Sequence, residues 1–139
     1  MSPEDDEFSS LVRNLKQAWE TKDTARDELE QQAQQIFAPI DDYLKRMNQA
    51  LHAVGAIVQI DTKWQSMADQ TLHRVAKVTS TKLSQQLNLD FTTQGSRIFY
   101  HSKSYQYPNE IDALKQDINH EVERFLKPPT VWRHNQGLA

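Results

Sequence analysis

The stretch RIFYHSKSYQY, residues 97–107, gathers the side chains of this chain most able to bind or react: Arg97, Phe99, Tyr100, His101, Lys103, Tyr105 and Tyr107. If it forms one β-strand, alternation places Arg97, Phe99, His101 and Lys103 on one face and Ile98, Tyr100, Ser102 and Ser104 on the other. Cations interleaved with an aromatic ring are what single-stranded nucleic acid stacks on and is neutralised by. Arg74, Lys77 and Lys82 on the neighbouring segment would extend that face. The same residues also suit an ordinary strand, where Phe and Tyr are favoured and Lys and Arg discourage edge-to-edge aggregation. The Lys/Arg-Gly-aromatic pattern of RNA-binding sheets is absent.

Other chemistries find no signature. The five histidines, His52, His73, His101, His120 and His134, stand at no useful ligand spacing. His120-Glu121 begins like HExxH, but Arg124 occupies the place of the second histidine, and Asp117, His120, Glu121 and Arg124 read as one charged helical stripe. The three glycines are isolated, so there is no phosphate-cradling loop. There is no GxSxG and no cysteine, which removes thiolate ligands, a Cys nucleophile and a disulfide scaffold. The sequence predicts no metal and no cofactor. An enzyme would need a site assembled from scattered residues, such as a pocket lined by His73 or His101 with a carboxylate.

The elements that must carry these residues begin with a long helix. From Phe8 to Val54 apolar residues recur at gaps of three and four, in a run free of glycine and rich in Ala, Glu, Gln, Leu and Lys. Ser9 or Ser10 is the expected cap, and Pro39 predicts a kink or break near Ala38. Unbroken, such a helix would approach 70 Å, at about 1.5 Å per residue. That exceeds what the core of one small domain needs. Around 20–32 the apolar stripe thins, amid charge and a glutamine cluster. The helix is therefore expected to project and pair with a second copy through Leu11, Leu15, Trp19, Leu29, Ile36 and Phe37, without forming an ideal coiled coil. Leu29→Asp should then weaken a dimer while barely disturbing the protomer.

Downstream of Gly55, AIVQID at 56–61 reads as a strand. Residues 63–83 fit both helix and strand; a loop or short helical turn over 63–70 and a strand over 72–82 is the preferred reading. LNLDFTT at 87–93 alternates cleanly, Gln94-Gly95 turns, and residues 96–107 return as its hairpin partner. Asn109 is the expected cap of a final helix through Ile111, Leu114, Ile118, Val122, Phe125 and Leu126, stopped by Pro128-Pro129. The fold class is α+β, a single domain over 1–139: helical segment 8–54, then a sheet of three to four antiparallel strands with a C-terminal helix over 55–139. Residues 1–7 and 128–139 are expected to be flexible tails unless Trp132 docks.

Composition limits the function classes. Only 37% of residues are apolar and mean hydropathy is −0.77, a lean core for a chain of 139 residues. The opening MSPEDDEF has neither the basic start nor the apolar run of a signal peptide, and no apolar run approaches the ~18 residues of a membrane span. A cytoplasmic protein without membrane association is the expectation. Net charge is −7 over 1–42, +5 over 43–108 and −1 over 109–139. An acidic N-terminal part and a basic middle can attract each other within one fold or between copies. A helix longer than the domain needs, a lean core and no chemistry together predict a non-catalytic, homodimeric adaptor, chaperone or regulatory protein that binds another protein. The alternative is a small nucleic-acid binder using Arg74, Lys77, Arg97, Phe99, His101 and Lys103.

Overall fold

The computed structural model describes residues 3–128, with side chains from residue 7 onward; the expected tail at 129–139, with Trp132, lies outside them. The chain is α+β. Helix α1 runs Pro3–Leu51, followed by a short 3-10 turn at His52–Val54. Six strands follow: β1 Ala56–Ile60, β2 Gln65–Ser66, β3 Leu72–Ser80, β4 Leu87–Gln94, β5 Arg97–Tyr100 and β6 Lys103–Gln106; helix α2, Ile111–Leu126, closes the order. The sheet is antiparallel throughout, in the order β1-β3-β4-β5-β6, with β2 also on β3.

Helix α1 starts earlier than Ser9 and does not break at Pro39. Pro3 takes the first helical position, where a missing N–H removes nothing. Pro39 does remove one helical hydrogen bond, but Ile36, Phe37, Ile40 and Leu44 are buried on both sides of it. Their packing outweighs the local preference. At the other end of the fold Asn109 caps nothing: Glu110 stands at the start of α2, and its carboxylate accepts the backbone N–H of Gln106 at 3.0 Å.

Both helices cover one face of the sheet. Ala33, Ile36, Phe37, Ile40 and Leu44 of α1 and Ile111, Leu114, Ile118 and Val122 of α2 meet Val58, Leu72, Ala76, Val78, Leu89, Phe91, Ile98, Tyr100 and Tyr105. Phe37 stands edge-on to Trp64 and Phe91, with centroids 5.3 and 5.1 Å away. The opposite face of the sheet, with Ile57, Lys77, Asn88, Asp90 and Arg97, is exposed, as antiparallel sheets permit.

In the ambiguous 63–83 segment the expected strand is present at 72–80, and the expected loop over 63–70 carries a two-residue strand, 65–66. Residues 65–66 pair back onto 72–73 through a turn in which Asp69 and Gln70 take positive φ, and 72–80 is a central strand. The expected single strand over 97–107 is two strands. His101, at φ 54°, and Ser102 reverse the chain, so that Tyr100 lies opposite Lys103. That turn and the added β2 bring the strand count to six instead of three or four.

Candidate functional site

The hairpin turn divides the residues of the expected nucleic-acid face. Cross-strand partners share a face. Arg97 opposite Gln106 and Phe99 opposite Ser104 therefore lie on the open face, with Lys77 two strands away between Gln59 and Asn88. Lys103, paired with Tyr100, lies on the helix side. Arg97 Nη1 donates to Ser104 Oγ at 3.2 Å. Arg74 faces the core, opposite Phe91, and is 8% exposed. Its Nε donates to the Asp61 carbonyl at 2.5 Å and its Nη1 to Gln34 Oε1 at 3.1 Å, while its guanidinium lies over the rings of Phe37 and Trp64. Arg97, Phe99, His101 and Lys103 thus do not form one face, and Arg74 belongs to neither side of a surface.

His101 and Lys103 stand at the turn against α2. There Tyr100 Oη and His101 Nε2 both bond Glu121 Oε2, the second at 2.5 Å. Tyr105 Oη donates to Asp117, and Lys103 Nζ lies 4.0 Å from the same carboxylate. A cavity of about 570 Å³ opens here, with His120, Arg124 and Phe125 on its wall. Two histidines and two carboxylates in a cavity could host acid–base chemistry. Both phenols, however, are pushed away from neutral pH, Tyr105 to about 12 and Tyr100 further, by burial first and then by the carboxylate each bonds. Neither phenol is therefore placed to exchange a proton near neutral pH. As arranged, the cluster holds α2 to the β5–β6 hairpin. Among the described residues no three His, Asp or Glu side chains gather in a way that could hold a metal ion, and no helix is long and apolar enough to cross a membrane.

The residues expected to self-associate separate into two groups. Ile36 and Phe37 are buried in the protomer's own core, and Leu29 packs partly against it. Ile36 and Phe37 are unavailable to a partner, and Leu29→Asp would disturb the protomer as well. Upstream the helix is bare: every residue from 7 to 28 is exposed. This arm carries Phe8, Leu11, Val12, Leu15 and Trp19, each between 47% and 59% exposed. At those fractions they present roughly 500 Å² of apolar side chain, at the upper end of the ~300–600 Å² of a typical monomer's largest patch.

A third feature has no counterpart in the sequence reading. Where the C-terminal end of α1 meets α2, a groove of about 830 Å³ is floored by Met47, Leu51, Val54, Val122 and Leu126 and flanked by Arg46, Lys82, Lys115 and Lys127. Its signal was present as a second stripe, Tyr43, Met47 and Ala50 of α1 and Val54 of the 3-10 turn, rotated away from Ile36, Ile40 and Leu44. No family model matches the chain, and no curated protein or solved structure is significantly similar to it.

Proposed function

We propose that this protein is a non-catalytic interaction module, an adaptor, chaperone or regulatory protein, that works as a homodimer through its α1 arm. The observation that carries the reading is the run 7–28, which makes no burial of its own yet holds five large apolar side chains on one side of the helix. A helix serving only water would be polar all round. Two copies covering these surfaces would bury on the order of 1,000 Å², the lower range of a specific interface. The sheet's open face, or an edge strand by strand addition, would then meet another protein. Light scattering at tens of micromolar tests the first step. A mass twice 16.2 kDa is expected, and a clean monomer would sink the reading.

The nucleic-acid alternative retains Lys77, Arg97 and Phe99, which do share the open face, beside Asp90. With two cations, oligonucleotide affinity would fall with salt at a log–log slope no steeper than about −2. Unmeasurable affinity at low salt would end it.

A further inference from the structure

The arm and the groove are complementary, and we propose that the groove between α1 and α2 receives the arm of a second copy. This rests on the self-association reading and specifies its geometry. The groove has the form that takes an amphipathic helix, an open apolar trough whose occupant inserts anchors spaced by three and four. Phe8, Leu11, Val12, Leu15 and Trp19 have that spacing.

Charge selects the occupant. The rim carries Arg46, Lys82, Lys115 and Lys127 against a single carboxylate of the groove lining, Glu123. Arg46 and Lys115 are held by exposed acids of their own helices, and Lys127 by Glu123. Lys82 has no carboxylate in ion-pair range among the described residues. The sequence leading into Phe8 is Glu4-Asp5-Asp6-Glu7. An arm lying in the trough would bring these four acids to a cationic rim. Pro128 lines the groove, but the sequence after it carries Arg133 and no acidic side chain, so it matches the rim poorly. Pairing arm to arm in parallel would crowd eight acids together, and in either direction it would leave the groove bare.

The contact must be between copies. Leu15 and Met47 lie on one uninterrupted helix, about 48 Å apart at 1.5 Å per residue. A contact given and returned closes a dimer, whereas one given and not returned runs on into longer assemblies.

The absence of cysteine makes the test clean. Leu15→Cys and Met47→Cys are prepared as separate variants, mixed, and joined with a short flexible bis-maleimide. The proposal expects the mixed 15–47 product to dominate over both like-with-like products. A dominant 15–15 product would overturn it in favour of paired arms. A wild-type chain of dimer mass whose mixed variants give no 15–47 product would overturn it too, leaving the homodimer reading intact. A monomeric wild type would remove both. As a second arm, Lys82→Glu with Lys127→Glu, both at exposed positions, should weaken association at least tenfold while far-UV circular dichroism reports the same folded protomer. Unchanged association would count against the groove.

Discussion

Arg74 gives the sharpest test of whether a basic residue here serves binding or architecture. It sits in the middle of β3 with its guanidinium over the rings of Phe37 and Trp64, 5.5 and 5.3 Å from their centroids. Gln34 Oε1 accepts both from Arg74 and from the indole of Trp64, at 3.1 and 3.3 Å. One side chain therefore ties the β1–β2 connection to α1 and to the sheet. Replacing it with alanine removes two ring contacts, each about 0.5–2 kcal/mol. It also leaves the Asp61 carbonyl and Gln34 short of a donor; a stranded acceptor costs about 1–3 kcal/mol when buried. Asp61 is exposed and water can replace part of that bond, so the expected loss for Arg74→Ala is about 3 kcal/mol. For a domain of this size that lowers the melting temperature by roughly 10 °C.

The assay is thermal and urea unfolding by far-UV circular dichroism at one fixed protein concentration, since association shifts apparent stability. Arg74→Lys keeps the charge but not the planar fork and should recover less than half of the loss. A loss below about 1 kcal/mol for Arg74→Ala, on the order of the effect of an ordinary surface substitution, would refute the reasoning and return Arg74 to the pool of residues free to meet a partner.

Four further outcomes are expected. Leu15→Asp removes an apolar contact worth about 1.5–3 kcal/mol in each copy. The dimer Kd should rise a hundredfold or more, read by dilution in light scattering, while the melting of the sheet body, compared at a dilution where both proteins are monomeric, stays put; a lower melting point there would mean the arm packs on its own protomer. Tyr105 is held up to about 12 by burial and by its bond to Asp117, so the stability it contributes is complete below pH ~10 and is lost between there and about 12. A late phenol component absent from Tyr105→Phe should appear in an ultraviolet titration, and its absence from the native protein would contradict the buried bond. Gly55 has φ +74°, and a Cβ there would stand 2.7 Å from Thr81 Oγ1. Gly55→Ala should cost about 1–3 kcal/mol, of which adding Thr81→Ala restores the steric part but not the backbone part; an unchanged unfolding midpoint would refute this. Hydrogen exchange of amides 8–25 should slow as concentration rises, and exchange that ignores concentration in a dimer would place the interface elsewhere.

What could be read from the sequence was what repeats. The three-and-four spacing through α1 and α2 and the strict alternation of Leu87, Leu89 and Phe91 are periodic signals that survive without neighbours. The turn at His101-Ser102 was not legible because its residues are not the Asn-Gly or Asp-Gly of tight hairpins, although histidine is enriched among non-glycine residues at positive φ. That one turn moved Lys103 to the helix side and dissolved the expected binding face. Arg74 was misplaced for another reason: sequence records a cation, not the two rings and the carbonyl that make its burial tolerable. Pro39 was over-weighted because a local breaker was judged without the four buried side chains around it.

The stripe on α1 holds one period while serving two surfaces. Phe8, Val12, Leu15 and Trp19 continue through positions 22 and 26 into Leu29, Ala33, Ile36 and Ile40 at alternating gaps of three and four. Only Lys22 and Arg26 interrupt it. Both are occupied locally, Lys22 over the Trp19 ring at 5.2 Å and Arg26 with Glu30 at 3.2 Å. Downstream of this polar break the stripe is consumed by the protomer's own sheet; upstream it stays exposed among the described residues. A helix built for that sheet alone would need no apolar residue before Leu29, and an isolated helix of two dozen residues gains little from displaying them to water. The charge distribution carries the same division. Asp41 and Asp42 find Lys45 and Arg46 one turn away, but Glu7 is about 50 Å along the helix from the basic middle of its own chain. Attraction between the acidic lead-in and the basic middle is therefore out of range within one protomer, and the proposed contact between copies would satisfy it.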